Sequence, residues 1–182
     1  MELVTTSALL LILLGVVYSA LTLSLTYYRQ ADDSVYLQQQ AMAAAKRIVE
    51  EMGSSPSSSV VLSPDGVLFL SARTGSGGLQ YNSSGAILWQ RYVAYYTQMS
   101  GSEPVLVRKE KPLSAPSATV PSSPPSLASI QADASLKSTV VARSIQALSF
   151  TGGTPVAIRV TAGNDSFGGN TVTVTSGVSF RQ

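Results

Sequence analysis

A chain of 182 residues without a cysteine or a histidine has no disulfide, no thiolate nucleophile, no Cys/His zinc site and no imidazole base for a serine triad. Only 12% of its residues are charged, about half the usual share, and 12 basic against 10 acidic side chains leave a formal charge of +2. That small excess is no nucleic-acid footprint: Lys and Arg gather only at Arg108-Lys109-Glu110-Lys111, where an acid interrupts them.

The chain opens on Met1-Glu2-Leu3-Val4, and from residue 3 to residue 28 no side chain is charged. At about 1.5 Å of rise per residue, a helix over this run outspans the roughly 30 Å hydrocarbon core of a bilayer. Leu9, Leu10, Leu11, Ile12, Leu13, Leu14, Val16 and Val17 form its apolar centre. Backbone groups in lipid must be satisfied within the segment, so the run is expected as a helix. A secretory signal would be shorter and open on basic residues, whereas this run opens on an acid; Val17-Tyr18-Ser19-Ala20 leaves cleavage after Ala20 as the alternative.

Helical periodicity continues past the span. Ala31, Val35, Met42, Ala45, Ile48, Val49 and Met52 recur at spacings of three, four and seven. No Pro or Gly interrupts residues 29–52, and Gly53 stands where a helix would end. The expectation is one continuous helix of about 75 Å from Leu3 to Met52. Residues 1–28 form its membrane-spanning half and 29–53 its amphipathic half, followed by a β-rich head over 54–182.

In the head, apolar residues become β-branched or aromatic, in short runs between turn residues. Val60–Leu62 and Val67–Ala72 flank Ser63-Pro64-Asp65-Gly66, a hairpin turn. A second hairpin is expected to pair Leu79–Asn82 with Ala86–Gln98 across Ser83-Ser84-Gly85. Its longer strand, which holds the single Trp89 and three tyrosines, is placed centrally, and Val105–Arg108 returns antiparallel. Residues 112–126 hold Pro112, Pro116, Pro121, Pro124 and Pro125 and read as an exposed Pro/Ser loop. Strands resume at Ser138–Val141, Ile145–Phe150, Pro155–Thr161, Thr171–Thr175 and Val178–Phe180. Val156, Ile158 and Val160 alternate with Ala157, Arg159 and Thr161, the pattern of an antiparallel sheet wet on one face. The fold class is therefore α+β, a long N-terminal helix packed on an antiparallel head.

The remaining candidates carry little chemistry. Gly75-Ser76-Gly77-Gly78 lacks the Lys-Ser/Thr of a phosphate loop and reads as a hairpin loop. Asp32-Asp33 are adjacent on a helix, about 100° apart, and read as solvated surface. The tyrosines of residues 92–96 read as packing.

Glu2-Leu3-Val4 entering a long apolar helix, followed by Tyr27-Tyr28-Arg29-Gln30, resembles the N-terminal helix of type IV pilins and type II secretion pseudopilins. The family carries a Gly-Phe-Thr-Leu-x-Glu-Leu-like prepilin methylation motif, on which Met1 fills the variable position and Glu2 is the signature glutamate. Residues 89–96, 105–110 and 140–150 are similar to heads of W-like minor pilins and J-like pseudopilins. The resemblance implies a non-enzymatic filament subunit without a cofactor. It would be held in the bacterial inner membrane with its head outside the cytoplasm, partnered by other pilins and processed by a prepilin peptidase if a basic leader precedes Met1. It also implies that Glu2, Leu3 and Val4 serve assembly, Glu2 meeting the terminal amine of a neighbouring subunit. Some pseudopilin heads hold calcium; here Asn164 and Asp165 are weak counterparts, short of the carboxylates and spacing of a calcium loop. The alternative is a single-pass anchored extracytoplasmic binding domain that never polymerises; an anchored hydrolase is disfavoured by the missing His and Cys.

Overall fold

The computed structural model describes residues 2–74, 77–153, 155–164 and 169–180. They form a long helix α1 (Glu2–Met52), strands β1 (Val61–Ser63), β2 (Gly66–Ser71), β3 (Trp89–Ser100) and β4 (Glu103–Ser117), a short helix α2 (Leu127–Ala132), and strands β5 (Ser138–Arg143), β6 (Ile145–Thr151), β7 (Val156–Asn164) and β8 (Asn170–Val178). The class is α+β with antiparallel sheets, as the sequence predicts. Helix α1 ends at Gly53, whose N–H donates to the Val49 carbonyl at 2.9 Å. The chain divides into two units, residues 1–36 and 37–182.

In the second unit, β1 to β5 form one sheet in sequence order, and β6, β7 and β8 form another. Every described strand pair is antiparallel. The first sheet is covered on both faces. Leu37, Ala41, Ala44, Ala45, Ile48 and Met52 of α1 share a core with Phe69, Val93, Tyr95 and Leu106 of this sheet and with Ile145, Ile158 and Val160 of the second. On the opposite face Leu68, Leu70, Tyr92, Ala94, Tyr96, Val105 and Val107 pack with Leu127 and Ile130 of α2. All six residues of β2 are consequently buried, which explains an unbroken apolar run where a one-faced sheet would alternate.

The second sheet keeps the alternation. Val156, Ile158 and Val160 are buried between half-buried or exposed neighbours, and Thr161 and Thr173 bring their hydroxyls to 3.2 Å across the β7–β8 pair. The change of sheet occurs at Ser144, whose φ of 58° makes it the one described non-glycine residue with positive φ. Its carbonyl accepts from the Gly163 N–H at 2.8 Å and its hydroxyl bonds Glu103 at 3.1 Å. These contacts, with burial to 6% exposure, hold a backbone conformation that serine seldom adopts.

Several expectations are corrected. The buried stripe of α1 runs through 37, 41, 44, 45, 48 and 52, so Val35 and Met42 are half-exposed: Met42 sits one helical step, about 100°, from the buried Ala41. The Pro/Ser loop begins later than residue 112, because β4 continues to Ser117 with Pro112 opposite Arg91 and Ser117 opposite Trp89. Strand β5 pairs only with Val105–Lys109, so the later part of β4 has a free edge, where proline withholds no ladder hydrogen bond. The turn at Asn82–Gly85 forms, with Asn82 Oδ1 accepting from the N–H groups of Ser84 and Ala86 at 3.0 and 2.7 Å and Gly85 at φ +78°. Its arms, however, meet in one isolated bridge, Tyr81 with Ile87, rather than in a strand ladder, and a second bridge, Arg73 with Leu79, joins the first arm to the residues before it. Finally, residues 170–178 are one strand rather than two.

Candidate functional site

Two regions carry unusual physical chemistry. The first is the unit of residues 2–36. Leu3 is 87% exposed and the apolar centre, Leu9 to Leu14 with Val16 and Val17, is 48–68% exposed, an arrangement that water penalises heavily. Five hydroxyls in this stretch turn inward on their own helix. Thr5 and Thr6 donate to the Glu2 carbonyl at 2.9 and 2.7 Å, Ser19 to Val16, Thr22 to Ser19 and Thr26 to Thr22, each at 2.9 Å. Hydroxyls satisfied in this way make little demand on the surroundings. The helix is long and apolar enough to cross a membrane. Glu2 is its first residue and the single acid of its first turn, with its side chain exposed, and Leu3 and Val4 follow in the same turn.

The second region is a polar cluster in the head that sequence reasoning did not find. Arg108 on β4 donates from Nε to Glu51 at 2.9 Å and from a terminal nitrogen to Glu110; Arg91 on β3 donates to the other Glu110 oxygen; and Arg47 reaches Glu51 at 3.2 Å. Both carboxylates and both strand arginines are largely buried. The cluster ties the C-terminal turn of α1 to the face of the first sheet. That turn contains no basic residue, so its partial negative charge and the acid Glu51 repel one another, and Arg108 offsets both. Beside the cluster lies a polar cavity of about 320 Å³ lined by residues including Arg47, Glu51, Arg73, Arg91, Arg108 and Glu110. The available signal was the spacing of Arg108 and Glu110, two apart and therefore on one strand face; nothing in the sequence points to Glu51, 57 residues away.

A third charged group is structural. Lys109, 7% exposed, donates from Nζ to the carbonyls of Ile130, Gln131 and Asp133 at 3.3, 2.8 and 3.0 Å. It satisfies the orphan carbonyls at the end of α2 with all three of its donors.

Burial alone raises the Glu110 carboxyl pKa, but hydrogen bonding to Arg108 and the charges of Arg108 and Arg91 outweigh it and hold the group below its ordinary value. Burial works against the charged form of Arg108 as well, and is overcome by Glu110 and Glu51, so its pKa is raised. Burial pushes up the phenols of Tyr92, Tyr95 and Tyr96. The Tyr95 hydroxyl makes no hydrogen bond of normal geometry, yet it lies near enough to Arg108 for that charge to oppose the burial. A depressed Glu110 stabilises the fold above the unfolded value of about 4.3 and loses that contribution as pH falls through the folded one. Raised tyrosines act in reverse, stabilising below about pH 10 and losing the contribution as the unfolded phenols ionise. The denaturant midpoint of the head is therefore expected to fall below about pH 4 and again above about pH 10. Three tyrosines should form phenolate absorbance only together with unfolding; early, gradual ionisation of all eight would contradict this.

Asn164 ends β7, in register with Asn170, and Asp165 lies outside the described residues, as do Gly75 and Ser76 of the glycine-rich turn. Among the described residues no three of His, Cys, Asp and Glu gather as metal ligands. No family model, curated protein or solved structure matches the chain.

Proposed function

We propose that this chain is a non-enzymatic assembly subunit of the minor-pilin or pseudopilin kind, held in the bacterial inner membrane by the first half of α1 until the helices of neighbouring subunits replace the lipid. The observation that carries the reading is the helix surface over residues 9–25, where the apolar side chains from Leu9 to Leu25 are exposed, with hydroxyls satisfied within the helix and one acid at the helix start. Such a surface suits lipid first and packed helices afterwards. A carboxylate at the start of a membrane helix is costly unless a charge meets it, and the helix dipole supplies only about 0.3–1 kcal/mol. A partner amine from a neighbouring subunit would supply the rest and set the axial stagger of packed helices.

A second reading, an anchored extracytoplasmic domain that binds a ligand without polymerising, draws on the arginine-lined cavity beside Glu110. The two readings part at Glu2. In cells of the source organism, the native chain is expected in sheared filaments as well as in the membrane, and Glu2→Ala in the membrane alone. Equal recovery of both proteins in filaments would remove Glu2 from assembly, and absence of the native chain from filaments would favour the anchored binding domain.

A further inference from the structure

Among the described residues, strand β8 forms an outer edge of the second sheet, paired with β7 alone. Nine residues long, it presents an unpaired ladder edge of the kind that proteins ordinarily protect with charge, proline, a bulge or extreme shortness. None of these protections is present: it contains no ionisable side chain and no proline, and its register with β7 runs without a shift. The other sheet edges are better guarded. Strand β1 is three residues long, β5 ends on Arg143, and β6 lies against β3, β4 and β1.

The sequence along this edge is also symmetrical. Gly169-Asn170-Thr171-Val172-Thr173-Val174-Thr175-Ser176-Gly177 reads alike in both directions from Thr173, with Asn170 and Ser176 as its one unlike, though still polar, pair. We propose that β8 is a self-pairing edge, on which a second copy of this chain adds antiparallel about a two-fold axis through Thr173. In that register Thr173 meets Thr173, Val172 meets Val174 and Thr171 meets Thr175, so threonine faces threonine and valine faces valine across the pair, as favoured cross-strand partners. Thr161 and Thr173 already make such a hydroxyl pair at 3.2 Å. No like charges are brought together. One strand pair buries far less than a standard interface, so the association is weak in dilute solution and operates where copies are concentrated, as on a shared membrane. It is independent of any assembly through α1.

The chain contains no cysteine, so a single introduced thiol reports the register. Partners about the axis have Cα atoms about 4.5–5.5 Å apart, within disulfide range. In the full chain reconstituted into phosphatidylcholine vesicles, Thr173→Cys is expected to oxidise to a dimer, Thr171→Cys to stay monomeric, and Thr171→Cys with Thr175→Cys to cross-link. Adding Thr171→Lys and Thr175→Lys to Thr173→Cys sets two like-charged pairs across the axis and should slow cross-linking about tenfold. Thr171→Lys with Thr175→Glu sets two opposite pairs and should restore it. The proposal is overturned if Thr173→Cys stays monomeric while a maleimide labels its thiol, if Thr171→Cys cross-links as fast, or if the two charge pairings give the same rate. An unchanged Trp89 emission in each variant shows that the head is folded.

Discussion

Replacing Arg108 with methionine is expected to lower the stability of the head by about 3–5 kcal/mol, the range for removing one member of a buried ion pair. The guanidinium bonds Glu51 and Glu110 together, and their side chains are 12% and 24% exposed. The substitution leaves two desolvated carboxylates, one of them beside the negative end of α1. Arg91 still holds one oxygen of Glu110 and Arg47 one oxygen of Glu51, which keeps the loss near the lower end of the range. Trp89 is the single tryptophan, half-buried on β3 against the α2-side core, so its emission during urea unfolding of the detergent-solubilised chain follows the head alone. Arg108→Lys keeps the charge without the planar fork and should fall between the two. Combining Arg108→Met with Glu51→Gln and Glu110→Gln should recover most of the loss, because the penalty lies in unpaired charge rather than in missing attraction. A loss below about 1 kcal/mol for Arg108→Met would place the cluster with solvated surface pairs.

Ile48→Ala should cost about 2–5 kcal/mol, and Met42→Ala on the same helix almost nothing. Ile48 is fully buried between α1 and the two sheets, while Met42 is 53% exposed. The first change removes apolar burial and leaves a cavity where α1, held by a backbone ladder, is poorly able to collapse. The second removes a side chain already in contact with solvent. Both residues belong to the apolar pattern that predicts the helix, so equal effects would return Met42 to the core. A Trp89 unfolding midpoint for each variant decides the matter.

That pair also measures how far the sequence is readable. The 3.6-residue period and the absence of Pro and Gly over residues 29–52 identify the helix, because they describe its own backbone and propensity. They do not identify which apolar residues face inward, since that depends on where a sheet formed far along the chain comes to lie. Strand β2 reads as a strand from its branched and aromatic residues, but its burial on both faces requires α2 and the residues around it. The extension of β4 through two prolines is illegible locally, for proline is excluded only where both ladder edges are used. The edge symmetry of β8 is written in the sequence, yet it acquires meaning only when β8 proves to be an outer strand.

For the candidate sites the division is similar. Glu2 and the apolar run behind it stand out at once, because an acid beside some 25 uncharged residues is a contrast of solvation that needs no fold to be recognised. The cluster of Arg47, Glu51, Arg91, Arg108 and Glu110 could not be assembled in advance. Its members come from α1, β3 and β4, and charges exposed in an extended chain reveal nothing of their later burial. The sequence by itself determined the long helix, its lipid-compatible half and the antiparallel character of the head, all of which follow from local pattern and hydrophobicity. Tertiary structure alone decided the buried face of α1, the change of sheet at Ser144 and the joining of helix to sheet through Arg108, because burial and desolvation are properties of residues brought together from distant parts of the chain.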